Sequence, residues 1–148
     1  MPSCRDAALA YAIRGWAVFP CLPGSKEPLT PHGFKDATTD AAIITAWWDT
    51  TPLANVAIAC GASNLVVVDL DVKHGIDGRI SWQVLCDALN EPKPETLCVN
   101  TPSGGVHLYF CGHAPSAVGF RPGIDIRGDG SYVLAPPSQL ATGVYHES

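Results

Sequence analysis

Cations are scarce in this chain. Its 148 residues carry nine Lys and Arg against fourteen Asp and Glu, a formal net charge of −5 at pH 7. A broad basic face that grips a polyanion by counterion release is therefore not expected. A local basic groove is still compatible with this balance, and bound metal ions would offset part of the acidic count. Long apolar runs are missing too. None approaches the roughly 20 residues of a membrane span, so no membrane partner is expected. The N-terminus, Met1-Pro2-Ser3-Cys4-Arg5-Asp6, lacks the basic start and apolar stretch of a secretory signal. The six cysteines (Cys4, Cys21, Cys60, Cys86, Cys98 and Cys111) form no CxxC pair. Cys111 and His113 lie close in sequence but lack the second ligand pair of a zinc site. The cysteines are read as buried free thiols of a cytoplasmic protein. No repeat, heptad pattern or low-complexity tract occurs, and GxxxxGK[ST], GxSxG and HExxH are absent. The chain therefore holds no P-loop ATPase, nucleophile-elbow hydrolase or HExxH metalloprotease.

What is present is a globular composition, 47% hydrophobic and 16% charged, at a length that suits one domain with a real core. One segment stands out: Leu65-Val66-Val67-Val68-Asp69-Leu70-Asp71. Strand side chains alternate, so Asp69 and Asp71 point to one face and Leu70 to the other. Two carboxylates on one face repel each other and lose hydration unless a cation lies between them. The pair reads as a divalent-metal site.

Punctuation by Gly and Pro divides the rest. Ser3 caps a first helix with Asp6 at the capping-box position, Ala7, Ala8, Leu9, Tyr11 and Ile13 as its apolar stripe, and Gly15 as its stop. Trp16 to Phe19 is expected as a strand ended by Pro20. A loop rich in Pro, Gly and Lys follows. Thr38 or Thr39 caps a second helix with Ile43, Ile44, Trp47 and Trp48 as core. Strands are expected over Val56–Ala59 and Leu65–Asp71, then a helix near Arg79 to Leu89. Thr96–Thr101 and Val106–Cys111 flank Pro102-Ser103-Gly104-Gly105, a hairpin signal. Gly123–Arg127 and Ser131–Ala135 flank Gly128-Asp129-Gly130, and Pro136-Pro137 ends the regular pattern. The expected fold is α+β, with a sheet built largely from hairpins.

Two further clusters repeat the logic of a strand with one apolar and one polar face. In Ser103-Gly104-Gly105-Val106-His107, the histidine leaves a glycine-rich turn opposite the Val106, Leu108, Phe110 stripe. The glycines would let a ligand approach, and free N–H groups there suit a phosphate. In Gly123-Ile124-Asp125-Ile126-Arg127-Gly128, Asp125 and Arg127 share the polar face; alone they read as a surface ion pair. If the three faces coincide, the site holds three carboxylates, a histidine, an arginine and a glycine-rich turn. That set suits two divalent ions about 4 Å apart on a nucleoside triphosphate, one activating a 3′-hydroxyl and one neutralising the phosphates. His107 and Arg127 would steady the phosphates. Oxygen ligands favour Mg²⁺ or Mn²⁺.

In this order the clusters resemble the bifunctional primase–polymerase domains of the archaeo-eukaryotic primase superfamily, found on plasmid and phage replication proteins. The likeness includes Ala12 to Pro20, Lys26-Glu27-Pro28, His32 to Asp40 and Trp47-Trp48. It continues through Val68 to Asp71, Thr101 to Phe110, Asp125 to Gly128, Ala135 to Ser138, and Gly143-Val144-Tyr145. The resemblance implies a mixed β-sheet catalytic core of modified RNA-recognition-motif type (55–148) packed against a smaller N-terminal α/β unit (1–54). It implies template-directed making or extending of primers on single-stranded DNA from dNTP or NTP. Asp69, Asp71 and Asp125 would be metal ligands and His107, with Ser103, Gly104 and Gly105 beside it, would bind the nucleotide. Arg127 and Lys26 as nucleotide contacts are extensions from the geometry. The family context implies a cytoplasmic protein of a bacterial host or phage-infected cell. The chain is read as the N-terminal part of a longer replication protein with a C-terminal helicase. Two other readings stay open: a DxD glycosyltransferase holding Mn²⁺ on a nucleotide-sugar, and a non-catalytic binding module on a similar sheet.

Overall fold

A computed structural model describes residues 2–148. The first helix, α1 (Cys4–Ile13), starts where the Ser3 hydroxyl accepts the Asp6 amide at 3.1 Å and stops before Gly15 at φ +87°. Ala7, Ala8 and Tyr11 are buried, but Ile13 is 88% exposed. It sits two residues beyond Tyr11, about half a turn round the helix, and so faces water. Helix α2 (Ala41–Thr50) is capped by Asp40, not Thr38 or Thr39: the Asp40 Oδ1 accepts the Ala42 and Ile43 amides at 2.8 and 3.3 Å. Thr38 is unavailable as a cap because its amide and carbonyl both bond to Val18, which keeps it extended. Of the expected core on α2, Ile44 and Trp48 are fully buried, Trp47 is half-buried and Ile43 is exposed. The Trp48 indole N–H donates to Ala54 O at 3.0 Å. Trp48→Ala is expected to cost about 3–5 kcal/mol of stability, read by denaturant unfolding.

Two antiparallel sheets carry the fold. The smaller has the order β1 (Val18–Cys21), β2 (Asn55–Ala59), β10 (Tyr132–Leu134). Its first strand starts later than expected and runs through Pro20. The backbone groups of Val18 and Pro20 face away from β2, bonding Thr38 and the Leu29 amide, so the missing proline N–H costs the ladder nothing. The larger sheet has the order β13 (His146–Glu147), β6 (Cys98–Asn100), β7 (Val106–Cys111), β3 (Leu65–Leu70), β9 (Ile124–Arg127), β8 (Ala117–Arg121). Two short ribbons complete the strands: β4 (Val72–Lys73) with β5 (Ile76–Asp77), and β11 (Gln139–Leu140) with β12 (Gly143–Val144).

The strands around Gly128-Asp129-Gly130 part company: β9 joins the large sheet and β10 the small one. The turn is pinned elsewhere. Asp129 N donates to Ala114 O at 2.8 Å, Gly128 N donates to the Ser116 hydroxyl at 3.1 Å, and a Cβ on Gly128 would stand 2.0 Å from Ala114 O. The hairpin partner of β9 is β8, whose Ala-Val-Gly-Phe-Arg sequence carries no clean alternation. Strands also continue past Pro136-Pro137, where β13 closes the edge beside β6.

Helix α3 (Gly78–Ala88) packs under one face of the large sheet, against Val68, Leu70, Leu108 and Ile124. The other face of that sheet, through Leu65, Val67, Val99 and Tyr109, joins one core with the small sheet, α1 and α2. All six cysteines are free; Cys21, Cys60 and Cys86 are buried, Cys4 and Cys98 half-buried. Cys111 is exposed, because it ends β7 where the core no longer covers the strand.

Candidate active site

Along β3 the row Leu65, Val67, Asp69 faces the shared core, and Asp69 lies where that core opens. The register places His107 of β7 directly opposite Asp69 on one side and Asp125 of β9 directly opposite it on the other. Antiparallel pairing thus brings three polar side chains level on one sheet face. Asp71 follows the strand end and is held through its backbone: its N–H donates to Gly123 O at 2.8 Å and its carbonyl accepts Gly78 N at 2.7 Å. Oxygens of Asp69, Asp71 and Asp125 lie within 4.8 Å of one another, the one such cluster among the described residues.

Basic groups surround these carboxylates. The Arg127 Nη2 lies 3.5 Å from Asp69 Oδ2 and 3.3 Å from Asp125 Oδ2, so one guanidinium spans two acids. The pairing expected for Asp125 and Arg127 is present, but it reaches across the sheet to Asp69 as well. His107 Nε2 is 3.5 Å from Asp69 Oδ1, and Lys73 Nζ is 3.5 Å from Asp71 Oδ2. Asp125 Oδ1 accepts the Gly119 amide at 2.8 Å.

The two acids of the pair behave differently. Burial pushes the Asp69 carboxyl up, but His107, Arg127 and Lys26 outweigh it and hold the group below the usual carboxylate range. Burial pushes Asp71 up too, and there the charges of Asp69 and Asp125 add to it while only Lys73 opposes. Asp71 therefore sits in negative potential that Lys73 only partly offsets. An all-oxygen donor set in such potential fits a hard divalent cation, and Asp69, Asp71 and Asp125 are the residues that would hold it.

His107 is buried rather than on the surface, with its ring 5.9 Å from that of Tyr145 and its Nδ1 without a hydrogen-bond partner. Two adjoining cavities meet here. The larger, about 300 Å³, is lined by Asp69, His107, Arg127, Lys26, Phe34 and Tyr132 among others. The smaller, about 80 Å³, is lined by Asp71, Thr101, Ser103, His107, Thr142 and Tyr145 among others. Lys26 borders both, and its carbonyl accepts the Tyr132 hydroxyl at 2.8 Å, which ties its loop to the small sheet.

The glycines of the turn have structural tasks. Gly104 adopts φ +88° and its N–H donates to Thr101 O at 3.0 Å, closing the turn. A Cβ on Gly105 would stand 2.4 Å from Leu70 O, so its missing side chain admits the β3 backbone. Phe34, Tyr132, Thr101 and Thr142 were not singled out as site residues from the sequence. The only signal for Tyr132 was strand alternation, and Thr101 and Thr142 reach the cavity through loops that carry no periodicity.

An α+β fold thus gathers the carboxylates of Asp69, Asp71 and Asp125, interleaved with basic groups, beside paired cavities, an acidic cluster that could hold a cation. A family model described as bifunctional DNA primase/polymerase, N-terminal, matches residues 8–147, and the chain belongs to that family. Family membership implies a metal-dependent nucleotidyltransferase that binds DNA and nucleotides. No curated protein matches the chain. No helix among the described residues is long and apolar enough to cross a membrane.

Proposed function

We propose that this domain is a template-directed nucleotidyltransferase that makes or extends primers on single-stranded DNA from dNTP or NTP. The observation that carries the reading is the register that sets Asp69 between His107 and Asp125, with the carboxylate oxygens of Asp69, Asp71 and Asp125 within 4.8 Å. Two divalent ions, Mg²⁺ or Mn²⁺, would supply Lewis-acid activation of the attacking hydroxyl and charge neutralisation at the triphosphate. The chain's own residues divide the remaining work. Asp69, Asp71 and Asp125 anchor the ions. Ser103 and His107 on the smaller cavity contact phosphate oxygens, the His107 Nδ1 being a buried donor or acceptor with nothing else to meet. Arg127 and Lys26 add positive charge to the same oxygens. The larger cavity, with Phe34 and Tyr132 in its wall, receives the nucleoside. Residues 1–148 act as one catalytic unit of a longer cytoplasmic replication protein that includes a helicase.

The test is extension of a labelled primer on a single-stranded template. The wild type is expected to incorporate nucleotide with Mg²⁺ or Mn²⁺ and to stop on addition of chelator. Asp125→Asn is expected to lower incorporation by at least about 100-fold, the scale of removing one preorganised charge from a transition state. Incorporation that survives chelation, or that Asp125→Asn leaves intact, would overturn the assignment.

A further inference from the structure

Arg127 already does for Asp69 and Asp125 what a bound cation would do. On β9 it lies two residues past Asp125 and shares its sheet face. Across the ladder it stands opposite Val67, one same-face step along β3 from Asp69, so its long side chain reaches Asp69 on the diagonal. The Nη2 meets Asp125 Oδ2 at 3.3 Å and Asp69 Oδ2 at 3.5 Å. His107 and Lys73 each meet one acid only.

The oxygens that Arg127 takes are the ones left over. Asp125 Oδ1 accepts the Gly119 amide at 2.8 Å, and Asp69 Oδ1 faces His107 Nε2 at 3.5 Å. An ion bridging these two acids therefore draws on the same Oδ2 atoms. Mg²⁺ binds oxygen at about 2.0–2.1 Å, so on Asp125 Oδ2 it would stand no more than about 5.4 Å from the Nη2. Two positive charges that close in a partly buried site repel strongly. The guanidinium has an alternative place. Its side chain is 35% exposed and lines the larger cavity, of about 300 Å³. Phosphate oxygens there would accept its fork of N–H groups as well as the carboxylates do.

We propose that Arg127 is a latch on the acidic centre: its guanidinium and a divalent ion exclude each other at the Oδ2 atoms of Asp69 and Asp125, and a nucleoside triphosphate opens the latch by drawing the guanidinium onto its phosphates. Ion and nucleotide then bind cooperatively, each favouring the state the other needs. The choice of triphosphate rests on the nucleotidyltransferase reading; the competition needs only the acids and the arginine.

The test uses the full chain and Mn²⁺, followed by the spectrum of the free ion without nucleotide. Arg127→Gln is expected to tighten Mn²⁺ binding about 10-fold, the lower end for charge-assisted contacts released from two acids. Lys73→Gln removes the same charge from one exposed contact with Asp71, and is expected to tighten it no more than about 2-fold. In the wild type, nitrogen-resolved NMR follows the Arg127 Nε–H, one of five arginine signals, assigned by its loss in Arg127→Gln. That signal is expected to shift with Mg²⁺ and to shift further when dATP is added. Mn²⁺ affinity unchanged or weakened in Arg127→Gln overturns the latch. So does an equal gain in both variants, which net charge alone would give, or an Arg127 signal that stays in place through Mg²⁺ and dATP. Each of these, in a wild type that still extends a primer, leaves the reading of the active centre intact. A wild type that neither binds Mn²⁺ nor extends a primer overturns both.

Discussion

Asp69→Asn and Asp71→Asn are each expected to lower nucleotide incorporation by at least about 100-fold while shifting thermal stability in opposite directions. Both remove a carboxylate from the one acidic cluster among the described residues, so both are expected to lose cation binding. Their surroundings differ. Asp69 is 7% exposed and faces His107 Nε2 and Arg127 Nη2, each at 3.5 Å. Its carboxyl is held below the usual range, so the folded protein favours its charge, and the amide leaves Arg127 and His107 with a poorer partner. A fall in Tm of about 3–6 °C is expected in chelator. Asp71 is raised by burial and by Asp69 and Asp125, so its charge works against the fold. Removing that charge is expected to raise Tm by about 1–3 °C. Differential scanning calorimetry in chelator, beside the extension assay, checks both. Two variants that lose activity and shift Tm the same way would contradict this account of the pair.

Gly105→Ala is expected to be a strongly damaging single-methyl change near the site. The new Cβ would lie 2.4 Å from Leu70 O and 3.1 Å from Thr101 Oγ1. The first neighbour is backbone and cannot rotate away, so the ends of β3 and β7 must separate. Leu70 stands between Asp69 and Asp71, and its displacement carries both carboxylates with it. A misplacement on the order of 1 Å is worth about 100-fold in rate. Primer extension should fall by about that factor, with weakened Mn²⁺ binding. Gly75→Ala is the matched control: Gly75 is left-handed at φ +74° but has nothing within 4 Å of the added atom, so it costs about 1–2 kcal/mol of strain away from the site. Equal activity of the two variants would show that the contact with Leu70 O does not position the acids.

The polar faces were legible because they obey a local rule. Asp69, His107 and Asp125 each follow from alternation inside a short apolar run bounded by Gly or Pro, and the runs exist where that pattern places them. Strand partnership is set by contacts far apart in the chain. Tyr132–Leu134 pairs with β2, not with the strand just before it, and β8 was hidden by a glycine in its middle. The bond of Arg127 to Asp69 depends on the same cross-strand neighbourhood, while its bond to Asp125, two residues away, was visible in the sequence. The cap of α2 turned on a competition: Thr38 is drawn into a bridge with Val18, which leaves Asp40 as the acceptor. The turn glycines were recognised as special, but Gly105 makes room for a neighbouring strand where room for a ligand had been expected.

The small sheet has a consequence for how such a domain can be exchanged. Its central strand β2 is covered on one side by β1, from the start of the chain, and on the other by β10, which comes after all three acids. A graft running from β2 through β10 but lacking β1 would leave one side of β2 bare. A graft that stopped at Arg127 would bare the other. Shuffling between replication proteins therefore has to move this block whole, and crossovers inside it should yield chains that fail to fold rather than enzymes with altered specificity.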